Sequence, residues 1–319
     1  MEKCKANYDK MTMQEKMKLV GDLYVKRDIG ELIHRCFNVC RQEAGFLPEP
    51  EGVVVVGDTG TGKTSLLNNY LKENAPERYD GIIRRPFLVT SIPPKASMNS
   101  LATMMLTDLG DPAPHAGNIQ QKSDRVRHLL KLQQVELVAF DEFQHLVEAI
   151  GRDGLARVSD WIKDQMKRTG IPFVIVGLKH AEKVVEVNEQ LARLCPYRIS
   201  LGPFGWESNS RRLDFRTFLA RLDEMLPFDE RSKMGDPDLA IRIFAATEGK
   251  LYRIAMLIKA AAFSALRRGG SCIELSDLSG AYDTKIGIMN GGLVNPFLLE
   301  TKALEQFLIK QVSGGSKAA

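Results

Sequence analysis

Long apolar runs are missing from this chain of 319 residues. None approaches the roughly 18 residues that a membrane-spanning helix needs. The first twenty residues carry Lys and Glu throughout, not the apolar stretch of a secretory leader. Cysteines are few: Cys4, Cys36, Cys40, Cys195 and Cys272, an odd and scattered set. That excludes a disulfide framework and suits a reducing compartment. The expectation is a cytoplasmic protein with no membrane association. His34 lies close to Cys36 and Cys40, but no second ligand pair of zinc-site spacing follows. Leu32, Ile33, Cys36, Phe37 and Cys40 recur at i, i+4 and i+8, so they read as the inner face of a helix. No long basic tract and no internal repeat is present. The net charge of +4 permits a polyanionic partner without demanding one.

What is there is a chain with 44% hydrophobic residues, enough for one α/β core and a smaller attached module. Residues 1–45 read as a helical segment, with Asp28 as an N-cap. Val53–Val56 is a β-branched run suited to a strand buried on both faces. Further short apolar runs follow at Phe87–Thr90, Val135–Phe140, Phe173–Val176 and Ile199–Leu201. Helical stretches at about 63–74, 98–109, 120–133, 154–169 and 180–194 separate them. This alternation indicates βαβ units and a mostly parallel sheet. After Gly202-Pro203-Phe204 the strands stop and helical patterns take over. The expected divisions are 1–45, an α/β core over 46–204, a helical lid over 205–275, and an extension over 276–319 ending in the flexible run Ser313-Gly314-Gly315-Ser316.

Gly57-Asp58-Thr59-Gly60-Thr61-Gly62-Lys63-Thr64 matches G-x-x-x-x-G-K-[ST] at every fixed position, between a strand and an amphipathic helix. Glycines let the backbone curl so that its N–H groups face a phosphate, and the helix start adds its dipole. Lys63 is expected on the β- and γ-phosphates of ATP, Thr64 on Mg²⁺, and Ser65 completes the nucleotide-binding set. Leu137-Val138-Ala139-Phe140-Asp141-Glu142 supplies a buried strand ending in two carboxylates. Asp141 is expected to hold Mg²⁺ through water, and Glu142 to orient and polarise the attacking water. Phosphoryl transfer also calls for a cation, often from a neighbouring subunit. Arg193, at the end of a helix before the fifth strand, is the candidate, with Arg198 opening that strand. Arg253, at the start of a helix in the second module, is a candidate lid contact to the nucleotide.

Taken together, the phosphate loop, Phe140-Asp141-Glu142-Phe143-Gln144-His145-Leu146, and Arg193 before Ile199–Phe204 resemble the AAA+ transposition ATPases of the TniB/TnsC family. Val89–Pro94, Leu106–Pro112 and Asn295-Pro296-Phe297 add to the resemblance, which spans roughly residues 30–300. It implies a P-loop AAA+ fold, a three-layer αβα core with a five-stranded parallel sheet in order 5-1-4-3-2 and a small helical lid. It implies ATP-dependent self-assembly, as a hexameric or heptameric ring or a helical filament, on double-stranded DNA. It implies partnership with a DDE transposase and a TniQ-like target-selection protein, with slow, regulatory hydrolysis driving disassembly. Two positions depart from the AAA+ pattern. Val176-Gly177-Leu178-Lys179-His180 lacks the usual Asn or Thr sensor, and Tyr252 stands where the lid arginine is expected, one residue before Arg253. For DNA contact, Lys95 and Lys122 rank first, since their segments lie where related rings line a channel. Arg125, Arg127, Lys163, Lys167 and Arg168 follow. Two other readings stand: a nucleotide-gated protein-interaction switch without DNA, like secretion-associated ATPases, and a replication-initiator-type ATPase, which would need an added helix-turn-helix.

Overall fold

The computed structural model describes residues 8–79, 82–288, 294–304 and 308. Cys4 and the run expected to be flexible at Ser313–Ser316 lie outside them. The chain divides into two compact units, one of residues 28–202, the other of residues 1–27 and 203–319. The N-terminal helical segment is therefore shared between them: helix α1 (Met13–Gly21) belongs to the second unit, α2 (Asp28–Glu43) to the first.

In the first unit, β1 (Val53–Gly57) runs into α3 (Lys63–Glu73). After a small antiparallel ribbon, Glu77–Tyr79 against Ile82–Arg84, come β2 (Phe87–Ser91), α4 (Met98–Asp108), α5 (Ile119–Leu132) and β3 (Leu137–Asp141). Then follow α6 (Gln144–Ala149), α7 (Arg152–Thr169), β4 (Phe173–Gly177), α8 (Lys183–Glu186), α9 (Glu189–Leu194) and β5 (Tyr197–Leu201). The five strands of the main sheet are parallel and lie side by side as β5-β1-β4-β3-β2. That is the P-loop AAA+ order expected from the family resemblance.

Why the strands read as unbroken apolar runs is visible in their two faces. Val54, Val56, Val138, Phe140, Phe173 and Ile175 point into a core roofed by α4, α5 and α7. Their neighbours Val53, Val55, Leu137, Ala139, Val174 and Val176 point into a second core with Ile33 and Phe37 of α2 and Leu66, Leu67 and Tyr70 of α3. A sheet covered on both sides has no polar face, so period-2 alternation vanishes. The helix around His34 is apolar on one side as expected, but its buried residues are Gly30, Ile33, His34, Phe37 and Cys40, while Leu32 is exposed. Among the described residues no group of three or more His, Cys, Asp or Glu side chains is placed to hold a metal ion.

β1 is anchored at both ends. Gly52 N, just before it, donates to Leu194 O at 2.6 Å. At its other end Gly57 pairs with Leu201, and a Cβ on Gly57 would sit 2.3 Å from Leu201 O. Only glycine fits there.

The second unit holds α10 (Asn209–Glu224), α11 (Pro237–Thr247), α12 (Leu251–Arg267) and α13 (Leu275–Tyr282). Phe215, Leu219, Ile243, Ile254, Leu257 and Ala261 are fully buried in its core, and Val20 of α1 joins them. The α11–α12 turn is clamped by Phe204 N donating to Gly249 O at 2.9 Å, with Gly249 at φ 65°. No described helix is long and apolar enough to cross a membrane.

Candidate functional site

The site lies at the carboxyl ends of β1 and β3, the edge where open α/β sheets carry ligands. The loop from Gly57 to Lys63 owes its curl to Gly60 (φ 79°) and Gly62 (φ 92°), both in the left-handed region that costs a side-chain-bearing residue about 1 kcal/mol or more. Thr61 Oγ1 donates to Asp58 O at 2.8 Å and fixes the bend. Gly62 opens α3, and no side chain caps that helix's first turn. The orphan N–H groups of a helix start therefore face the loop's hollow, where an anion finds both donors and a favourable dipole.

Lys63 is buried, and its Nζ donates to the loop's own carbonyls, Gly57 O at 2.8 Å and Asp58 O at 2.9 Å. Burial lowers its pKa, while Glu142, Asp141 and Asp58 pull it back up. Asp141 shows the opposite perturbation. It is buried and its pKa is raised, chiefly by desolvation and also by Glu142, against the hydrogen bonds from Thr64 and from Glu142 N and the charge of Lys63. A cation and a carboxylate both held under-solvated describe a cradle that gains from an anionic phosphate and a bridging divalent ion. Thr64 Oγ1 donates to Asp141 Oδ2 at 2.8 Å, so a hydroxyl and a carboxylate 77 residues apart meet at one point. These hard oxygen donors suit Mg²⁺.

Glu142 is half-buried in the left-handed region at φ 56°, a conformation uncommon for a non-glycine residue and frequent at functional sites. Asp141 Oδ1 accepts from its N–H at 2.9 Å, and Phe143 N donates to Val176 O at 3.0 Å. Gln144 Nε2 donates to Glu142 Oε2, and His145 Nε2 stands 3.8 Å from the same oxygen. The sequence block after Glu142 thus surrounds its carboxylate, a role for Gln144 that spacing alone did not assign.

The remaining expected residues fall in different places. Arg193 is exposed at the end of α9 and makes no hydrogen bond or ion pair among the described residues. Arg253 pairs with Glu248 at 2.5 Å and donates to Tyr252 Oη at 3.1 Å, inside its own unit. Past the end of β4, His180 is held by Glu148 at 2.8 Å, and Lys179 is exposed. Lys95 is exposed at a turn tip with φ 62° and carries no ion pair among the described residues. Lys122 is not a surface residue. It is 3% exposed, and its ammonium donates to Thr103 Oγ1 at 2.8 Å and Asn99 Oδ1 at 3.1 Å, joining α5 to α4. A group so enclosed cannot reach a phosphate backbone, which corrects the expectation of DNA contact. The other basic candidates are paired locally: Arg125 with Asp111, Arg127 with Asp124, Lys163 with Asp160, Lys167 with Glu49 and Arg168 with Asp164.

With this geometry established, residues 44–199 match the family model "Bacterial TniB protein". The solved structures similar in fold include Orc1 of Aeropyrum pernix in complex with DNA, at 18% identity and TM-score 0.53 over 84% of this chain and 69% of that one. Cdc6p of Pyrobaculum aerophilum aligns at 16% identity and TM-score 0.56, over 84% and 70% of the two chains. Orc2 of Aeropyrum pernix in ADPNP–ADP complexes aligns at 14% identity and TM-score 0.57, over 84% and 71%. At such identity these likenesses bear on the fold alone. Among curated proteins no sequence match is found.

Proposed function

We propose, on the premise that residues 44–199 form a TniB-family AAA+ domain, that this chain is an ATPase that regulates DNA transposition by assembling on double-stranded DNA. One observation carries the nucleotide reading: the 2.8 Å contact of Thr64 with Asp141 beneath an uncapped helix start. Two motifs that are far apart in sequence converge on one point, and both are the motifs that phosphoryl transfer requires.

In this mechanism the backbone N–H groups of Gly60 to Thr64 bind the β-phosphate, and Lys63 exchanges its carbonyl partners for β- and γ-phosphate oxygens. Asp58, Thr59 and Ser65 border the same loop. Thr64 and Asp141 would hold Mg²⁺, which supplies charge neutralisation for the phosphates. Glu142 orients a water. The water oxygen bonds to the γ-phosphorus, the bond to the β,γ-bridging oxygen breaks, and the water's proton passes through Glu142 to solvent. The exposed guanidinium of Arg193, which has no ion pair among the described residues, stabilises the developing charge in a neighbouring subunit's site. Lys95 contacts the DNA backbone, and repetition along an oligomer multiplies that single contact. A transposase and a target-selection protein are the partners this assembly would connect.

Electron microscopy and filter binding, with and without an ATP analogue and duplex DNA, test the reading. The expected result is nucleotide-dependent oligomers on duplex, lost in Lys63→Ala and accumulated in Glu142→Gln. Oligomers indifferent to both variants overturn the nucleotide scheme. Nucleotide-dependent assembly without DNA retention would instead support a protein-interaction switch.

A further inference from the structure

β4 lies between β1 and β3. Its carboxyl end is therefore flanked by the strand that feeds the phosphate loop and the strand that ends in Asp141 and Glu142. A polar sensor belongs at this end in many related ATPases, and the chain offers Val176-Gly177-Leu178 instead. A side chain from the turn after β3 reaches this end instead. The buried Gln144 accepts from Leu178 N at 3.0 Å and donates to Glu142 Oε2. Its amide has one sensible orientation, since an N–H on one side needs oxygen and a carboxylate on the other needs the NH₂.

The seat for this amide is built into the fold. A Cβ on Gly177 would lie 2.7 Å from Gln144 Oε1 and 2.9 Å from Ala181 Cβ. Phe143 beside it is fully buried, and its N–H bonds Val176 O. The turn carrying Glu142 is thus stitched to β4 by a backbone bond on one side and the Gln144 amide on the other. His145 approaches the same carboxylate only to 3.8 Å, beyond a hydrogen bond.

We propose that Gln144 is the positioning residue that replaces the missing sensor. It anchors one oxygen of Glu142, leaves the other for the attacking water, and ties the carboxylate to the position of residues 177–178. This rests on reading Glu142 as the water-orienting group. Movement at the end of β4 then reaches Glu142 through two hydrogen bonds and no intervening loop.

The test compares wild type with Gln144→Met, which keeps the length and removes both bonds, and Gly177→Ala, which displaces the amide without touching it chemically. Steady-state turnover and the Kd of a fluorescent ATP analogue are measured on the full chain, with circular dichroism confirming the fold. Turnover should fall roughly 10- to 100-fold, the cost of a misplaced catalytic group, while Kd stays within about twofold. In a Glu142→Gln background Gln144→Met should cost nothing further, because the two act as one unit. A merely structural role would lower both backgrounds alike. If Glu142→Gln abolishes turnover but Gln144→Met and Gly177→Ala run at the wild-type rate, this inference falls and the ATPase reading stands. If Glu142→Gln itself turns over normally, the ATPase reading falls and takes the inference with it. Should Gln144→Met fail to fold, Gly177→Ala decides.

Discussion

Replacing Asp141 by Asn should stabilise the ligand-free protein and weaken its response to nucleotide. The side chain is buried, and desolvation is the main reason its carboxyl titrates above the ordinary range. Asn keeps an oxygen to accept from Glu142 N at 2.9 Å and an NH₂ for Thr64 Oγ1, which can accept as well as donate. The hydrogen bonds survive and the under-compensated charge goes, a gain on the order of 1 kcal/mol. For a unit of this size that raises Tm by about 2–4 °C. The sign with pH follows from linkage. A carboxyl whose folded pKa is raised contributes most below its unfolded pKa and loses that contribution as pH rises through the folded one. The Tm gap between Asn variant and wild type should therefore be open at neutral pH and close on acidification. Saturation with ATP–Mg²⁺ at about 100 times Kd adds about 2.7 kcal/mol to wild type, and the variant, short of a metal ligand, gains less. The order of Tm values inverts between the two conditions. Differential scanning fluorimetry with and without ligand reads both. A ligand-free Asn variant that melts below wild type at neutral pH refutes the reasoning.

Three further outcomes are expected. Lys95→Ala should weaken duplex binding and reduce the slope of log K against log salt by about 0.9 per contact removed, whereas Lys122→Met should leave the slope unchanged; equal effects in a salt-titrated filter assay would put Lys122 back on the surface. Arg193→Ala should retain nucleotide affinity but lose turnover, and mixing it with Lys63→Ala protein should restore activity at hybrid sites; no restoration argues against a finger acting between subunits. Gly62→Ala, forced to φ 92°, should lose nucleotide binding measured by fluorescence titration while circular dichroism stays near wild type.

The sheet was legible because its strands are buried on both faces, which leaves runs such as Val53–Val56 with no polar interruption. The loop and the acidic strand were legible because phosphate chemistry fixes both residue type and spacing. The burial of Lys122 has a signal in its spacing: Val126 and Leu130 follow it at four-residue intervals, and all three are buried on one face of α5. The ribbon of Glu77–Tyr79 against Ile82–Arg84 has no alternating apolar pattern to announce it, since its first strand opens on two charged residues. The division of the N-terminal helices between two units depends on which core receives Val20, and no local pattern states that. Gln144 stood inside the Phe140–Leu146 block beside Glu142, but Leu178, just past the end of β4, lies 34 residues away in sequence, so only the three-dimensional fold joins the two through its amide.

The two anchors of β1 acquire a meaning beyond packing. Its entry is bonded to Leu194, beside Arg193, and its exit is wedged against Leu201 where the phosphate loop begins. β1 and β5 form a ribbon of about 17 Å, with the phosphate loop at one end and the helix that carries Arg193 at the other. On the proposed assembly, occupancy of one site becomes a mechanical boundary condition for the next. A chain of such subunits would behave less like independent enzymes than like links of a conveyor, each reporting its load forward through a pair of strands.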